Sequence, residues 1–218
     1  MVIVYGHPFA MFVWKALIAL EERGVAYELR TPDTGHPEYQ AILAEHQPGA
    51  QIPVLVDGER VVIETNVIVE YIDRTAPGGP KLLPADPLAA LEARQLADVF
   101  DDYVAVNMQR VVSNELRPAE HRDPYGVAQA KDELDEAYTW LERWMAAREW
   151  AACGMFSMAD IAAAGTLFYA DWTHPMAGRF PQLEAYRARL LARPSVVKVV
   201  DGARPYRHYF PLGAPDRD

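Results

Sequence analysis

The sequence has one cysteine, Cys153, in 218 residues, so no disulfide can form within the chain and nothing calls for an oxidising compartment. No segment approaches the roughly 18 uninterrupted apolar residues of a membrane helix. The opening, MVIVYG, carries no basic residue and is followed at once by Gly6 and Pro8, so the pattern of a secretory leader is missing. A soluble, cytoplasmic protein is expected. Positive charge is scarce as well: 21 Lys and Arg stand against 31 Asp and Glu, a formal net charge of -10. That balance disfavours a general nucleic-acid binder, because phosphate backbones attract an excess of cations. A small-molecule or protein partner is expected instead. The six histidines (7, 36, 46, 121, 174 and 208) show no close ligand spacing, so no metal site is expected, and Cys153 reads as a structural thiol rather than a redox centre.

What is present divides near residue 80. Before it, short β-branched runs alternate with helical ones. VIVY (2–5) is followed by a helical stretch from Ala10 to Arg23 closed by Gly24, then by YELR (27–30) and a second helical run, EYQAILAEH (38–46). IPVLV and RVVI flank Asp57-Gly58, a pair that supplies the positive φ angles of a tight hairpin. Thr65 then reads as the cap of a helix through VIVEYID. The order β-α-β-α-β-β-α within 80 residues predicts a thioredoxin-like α/β domain, a mixed sheet flanked by helices, over residues 1–76.

Pro77, Pro80, Pro84 and Pro87 with Gly78 and Gly79 can neither continue a helix nor alternate as a strand, so 77–87 reads as a linker. Residues 88–218 are helical in pattern throughout. Leu88 to Glu115 and Gly126 to Arg148 are long periodic segments, the second with Leu134, Ala137, Tyr138, Leu141, Trp144 and Met145 on one stripe. Ser157 and Asp160 open SMADIAAAGTLFYA as a capping-box pair, and because that helix is small and apolar almost all round it is expected at the buried centre of an all-α domain. PQLEAYRARL and PSVVKVVDG make two shorter helices.

Three stretches in this order carry a family resemblance: VYGHPFAMFVWKALIALEERGVAYE, PGAQIPVLVDGERVVIETNVIVEYID, and FSMADIAAAGTLF followed by RPSVVKVV. Along nearly its whole length the chain resembles the soluble glutathione transferases, bacterial and plant-like members in particular. The resemblance implies the glutathione transferase fold, glutathione as co-substrate, no metal, and a homodimer. It further implies that Pro53 is cis, that the exposed backbone of Ile52 pairs with the cysteinyl part of glutathione, and that Gln51 contacts its backbone. Glu64 would face the γ-glutamyl ammonium, and the Thr65 hydroxyl with the amides of its helix start would hold the carboxylate, where the helix dipole favours an anion. Without the family, Pro53 merely ends a loop, Glu64 is a solvated charge and Thr65 a cap.

One departure stands out. Relatives with a similar start keep a Ser or Cys where this chain has Ala10, the Ser donating to the glutathione thiolate and the Cys forming a mixed disulfide. Ala10 can do neither. The backbone amides of Ala10 and Met11 at the helix start are the expected substitute. Tyr5, His7 and Asn66 are further candidates for the missing donor, although alternation along the strand turns Tyr5 to the opposite face. The second-substrate pocket is assigned to Phe9, Met11, Tyr103, Asn107, Arg110 and Trp172. Phe9 and Met11 read equally as core, Trp172 as interdomain packing, and Tyr103, Asn107 and Arg110, at i, i+4 and i+7 on one helix face, as one core residue and two solvated ones. Two functions follow: conjugation of glutathione to a hydrophobic electrophile, or a binding or interaction protein of the same fold without catalysis.

Overall fold

The β-branched runs form a four-stranded sheet in the order β2-β1-β3-β4, with β1 (Val2–Tyr5) parallel to β2 (Tyr27–Arg30) and antiparallel to β3 (Val54–Asp57), which pairs antiparallel with β4 (Arg60–Val62). A computed structural model describes all residues 1–218. Gly58 makes the β3–β4 turn at φ 61°. Side chains alternate across the sheet. Val4, Leu55 and Val62 face helices α1 (Met11–Glu22) and α3 (Thr65–Thr75), while Tyr5 and Val54 face Leu43 of α2 (Pro37–His46) on the other side.

The rest of the chain is helical: α4 (Pro87–Val99), α5 (Val106–Glu115), α6 (Pro124–Met145), α7 (Met158–Thr173), α8 (Pro181–Leu191) and α9 (Pro194–Ala203), closed by a 3-10 turn at Arg204–Tyr209. No helix is long and apolar enough to cross a membrane. All sixteen residues of α7 are buried, as its composition leads one to expect. It lies against α1 through Gly165, where an added Cβ would come within 3.1 Å of the Met11 carbonyl oxygen. Trp14 of α1 packs on Phe168 and Tyr169 with ring centroids 4.9 and 5.2 Å apart. One core of 52 buried residues therefore runs through both halves.

Two local features depart from the sequence pattern. The long helix expected over Leu88–Glu115 carries a π-helical segment, Phe100–Ala105, between α4 and α5. That segment directs Asp101 at Lys15, which is buried in α1, with Nζ 2.6 Å from Oδ2. Burial pulls Lys15 below its usual range and pushes Asp101 up, and each charge opposes the shift of the other. The second departure is at α3: Thr65 is its first helical residue and not its cap. Glu64 takes the cap position with φ 64° and no side-chain cap bond.

The capping box of α7 forms as its sequence predicts. The Asp160 carboxylate accepts from the Ser157 amide at 2.8 Å and the Ser157 hydroxyl at 3.1 Å, and also from the Ala151 amide at 2.9 Å and the Tyr186 hydroxyl at 2.7 Å. Replacing it leaves several buried donors without an acceptor, each costing about 1–3 kcal/mol. Asp160→Ala is expected to lower unfolding stability by at least about 3 kcal/mol, read as a shift of the urea midpoint at constant slope.

Candidate functional site

The sheet register brings the sequence-distant pieces together. Tyr5 pairs with Val54, and Leu55 with Val62. His7, Ile52–Pro53 and Glu64 each lie within two residues of those strand ends, so the pairings bring them to one end of the sheet. The Ile52–Pro53 bond is cis, in line with the expectation from the resemblance.

The turn Gly6–Ala10 is held by bonds at nearly every position. The Gly6 amide donates to the Arg30 carbonyl at 2.9 Å, the Trp14 indole to the Pro8 carbonyl at 2.7 Å, and the buried Tyr169 hydroxyl to the Phe9 carbonyl at 2.8 Å. The Phe9 amide donates to His7 Nδ1 at 3.0 Å. Glycine at position 6 is a steric requirement, because a Cβ there would meet the Val13 methyls at 2.7 and 2.8 Å.

One expectation is corrected by this turn. The Ala10 amide is not free: it donates to the His7 carbonyl at 2.9 Å. The unpaired amides at the start of α1 belong to Met11 and Phe12, because the first turn of a helix leaves its N–H groups without intrahelical acceptors. Ile52 also leaves both its N–H and its C=O without a partner in the protein. At α3 the amides of Thr65 and Asn66 are likewise unpaired, and the Thr65 hydroxyl makes no bond within the protein. α1 carries no acidic residue in its first turn, whereas the start of α3 has Glu64 at its cap and Asp98 and Asp101 beside Asn66.

A cleft of about 510 Å³ is lined by His7, Ala10, Met11 and Phe12 on one side, Gln40 and Leu43 of α2, Gln51 and Ile52, and Gln109 of α5. Among the residues proposed for the second-substrate pocket, only Met11 lines it. Phe9 and Trp172 lie instead in an aromatic cluster, with Phe9 edge-on to Tyr169 at 5.2 Å and Trp172 against Phe168 at 4.5 Å. Tyr103 and Asn107 line a separate groove with Glu133, Ala137 and Trp140 of α6. Arg110 donates to Asn107 Oδ1 at 2.9 Å and to Glu133 at 2.6 Å. The three residues share a face as their spacing predicts, but that face looks at α6. The π segment adds a residue to the helical repeat and shifts the phase read from a uniform 3.6 period. Gln109, Gln40 and Phe12 were missed, and nothing local in the sequence marks them.

The weaker donor candidates separate cleanly. Tyr5 lies on the α2 side of the sheet, its ring edge-on to Tyr39 at 5.5 Å and its hydroxyl accepting from Arg30 at 3.1 Å. Asn66 is turned to Asp98 and Asp101, at 3.0 and 3.2 Å. His7 alone of the three lines the cleft. Cys153 is remote, donating to the Ala89 carbonyl, and burial pushes its thiol up to about 11, which leaves it unreactive at neutral pH. No group of three or more His, Cys, Asp or Glu side chains is gathered to hold a metal.

The model of the glutathione S-transferase N-terminal domain matches residues 1–74 and that of the C-terminal domain residues 106–194. The chain belongs to the glutathione S-transferase family. It is 28% identical over 215 residues to a probable glutathione S-transferase of Glycine max, covering 95% of this chain and 90% of that one. It is 25% identical over 209 residues to a probable maleylacetoacetate isomerase of Vibrio cholerae, covering 93% and 97%. A theta-class glutathione S-transferase of Xanthomonas axonopodis pv. citri, solved with glutathione bound, superposes with a TM-score of 0.76 at 28% identity, over 91% of this chain and 96% of that one. The mixed sheet and helical second half are thus the glutathione S-transferase fold.

In this fold the turn before α1 is fixed from the second half of the chain by Tyr169. Tyr169→Phe leaves the Phe9 carbonyl without its donor and is expected to cost about 1–2 kcal/mol, measured as a lowered urea midpoint.

Proposed function

We propose that the protein is a glutathione transferase, conjugating the thiolate of glutathione to a hydrophobic electrophile. The observation that carries this reading is the pairing, in one cleft, of the unpartnered N–H and C=O of Ile52 with the free amides of Met11 and Phe12. A cysteinyl residue bonded to Ile52 as a strand would be has its sulfur near the positive end of α1. Glu64 takes the γ-glutamyl ammonium, and the Thr65 hydroxyl with the amides of α3 takes the carboxylate. Gln51 and Gln40 face the remainder of the tripeptide. The glutathione bound in the theta-class relative supports glutathione as the ligand.

Ala10 removes a hydroxyl that relatives with a similar start use, and the loss can be bounded. A thiol of pKa about 8.5 is already about 3% ionised at pH 7, so full ionisation multiplies the nucleophile by about 30, or some 2 kcal/mol. Holding thiolate and electrophile together contributes several kcal/mol more. Turnover without the hydroxyl is therefore within reach.

The second reading is a glutathione-binding or interaction protein without catalysis. It is favoured by the run Phe9, Ala10, Met11 and Phe12, which has no hydroxyl or thiol. Glutathione titration by calorimetry with turnover of an aryl halide panel separates the two: binding with no turnover across the panel favours the second reading, and absence of binding favours an interaction role over either use of glutathione. A homodimer goes with the family, and the exposed Leu88, Leu91, Tyr103 and Val106 offer apolar surface for it. A cytoplasmic place fits a reduced-glutathione co-substrate.

Two variants test the assignment. Thr65→Val is expected to weaken glutathione about tenfold by calorimetry, the loss of one bond to a charged group. Ala10→Ser is expected to lower the thiol pKa of bound glutathione in an ultraviolet titration of the thiolate. An unchanged pKa would place residue 10 away from the sulfur.

A further inference from the structure

We propose that His7 is the side-chain donor of the cleft, its Nε2–H donating to the sulfur of bound glutathione in place of the hydroxyl that Ala10 lacks. The proposal rests on the glutathione reading above and adds the residue that reading leaves open. It begins with the tautomer. Nδ1 accepts the Phe9 amide at 3.0 Å, so a neutral ring must carry its proton on Nε2. Burial lowers His7 below the usual imidazole range, which keeps the ring neutral at pH 7. A neutral ring with Nδ1 occupied is a fixed donor at Nε2.

Position follows from the sheet. His7 lies two residues beyond Tyr5 and Ile52 two before its partner Val54, and both residues line the cleft. The backbone of Ile52 is the group assigned to the cysteinyl residue, so the two lie at the same end of the tripeptide. Nε2 has no partner within the protein and is not sealed from solvent. The other polar side chains of the cleft stand elsewhere: Gln40 and Gln51 on α2 and the loop after it, and Gln109 on α5. Only His7 is on the turn that carries Ala10.

Orientation is supplied by the end of the chain. The 3-10 turn Arg204–Tyr209 sets Tyr206 edge-on to the His7 ring at 4.6 Å and Tyr209 at 6.0 Å. That turn is held in place by Arg207, whose guanidinium lies 4.9 Å from the Trp172 ring and which bonds Asp218 and the carbonyl of Pro215. Swinging the imidazole out would break the Phe9 bond and both aromatic contacts together. A residue that only shaped the turn would need the Nδ1 acceptor and nothing more.

The test uses that difference. Asn at position 7 offers Oδ1 where Nδ1 stood and preserves the turn, but it has no donor at the ε position. Gln carries an amide that reaches there. In the full-length protein, His7→Asn is expected to raise the thiol pKa of bound glutathione by about one unit, tenfold in the thiolate ratio. Affinity for S-methylglutathione, which has no thiolate, should stay at the wild-type value, and His7→Gln should recover most of the shift. In the wild type, the ¹⁵N resonance of His7 Nε2 should move with glutathione and not with S-methylglutathione, a readout independent of whether the variants fold. An unchanged thiol pKa in His7→Asn, an equal loss of S-methylglutathione affinity, or an unmoved Nε2 resonance would each overturn the role of His7. A wild-type protein that binds neither ligand would instead overturn the glutathione reading itself, and the assignment of His7 with it.

Discussion

Helix α1 has no free flank. The sheet and α3 lie on one side and α7 on the other, so nine of its twelve residues are buried, the lysine among them. A helix gripped on every side cannot rotate or slide, and its first turn is fixed in space as firmly as its middle. The closest grip is at Gly165, where α7 approaches the main chain of Met11 itself. The second half of the chain therefore does more than cover the first: through Gly165 and Tyr169 it sets where the amides of Met11 and Phe12 point.

The cleft that results combines free main-chain groups with polar side chains. Unpaired N–H groups at the start of α1 and the N–H and C=O of Ile52 stand there beside the side chains of His7, Gln40, Gln51 and Gln109. Main-chain groups survive substitution of the side chains above them. That is the physical sense in which a glutathione S-transferase fold can carry alanine at residue 10 and still keep free amides at the start of α1. Side chains there adjust the strength of the interaction more than its existence.

Two carboxylates, one between the halves and one within the second, hold elements together through polar contacts. Lys15 enters the core opposite Asp101 of the π segment, whose Oδ2 also accepts from Asn66 while its Oδ1 has no partner. A buried ammonium without that carboxylate would cost several kcal/mol. Asp160 at the start of α7 has both carboxylate oxygens occupied. Each pair ties elements that are far apart in sequence.

Much of this was legible in the chain alone. β-branched alternation, Asp57-Gly58 and the Ser157–Asp160 pair each act within a few residues, so they determined the strands, the hairpin and the start of α7 before any packing was known. The IP pair and Glu64-Thr65, read through a family resemblance, marked the segments that β3 and β4 bring together. Tertiary structure decided the rest. Ala10 could not be seen to spend its amide on His7, because that depends on the geometry of the turn. Tyr103, Asn107 and Arg110 share a face as their spacing says, but the packing of α5 on α6 turned that face away from the cleft. Phe9 and Trp172 went to the aromatic cluster because α7 and the chain's last turn met there. Periodicity reports which residues stand together on one element; only the packing of elements determines what that face meets.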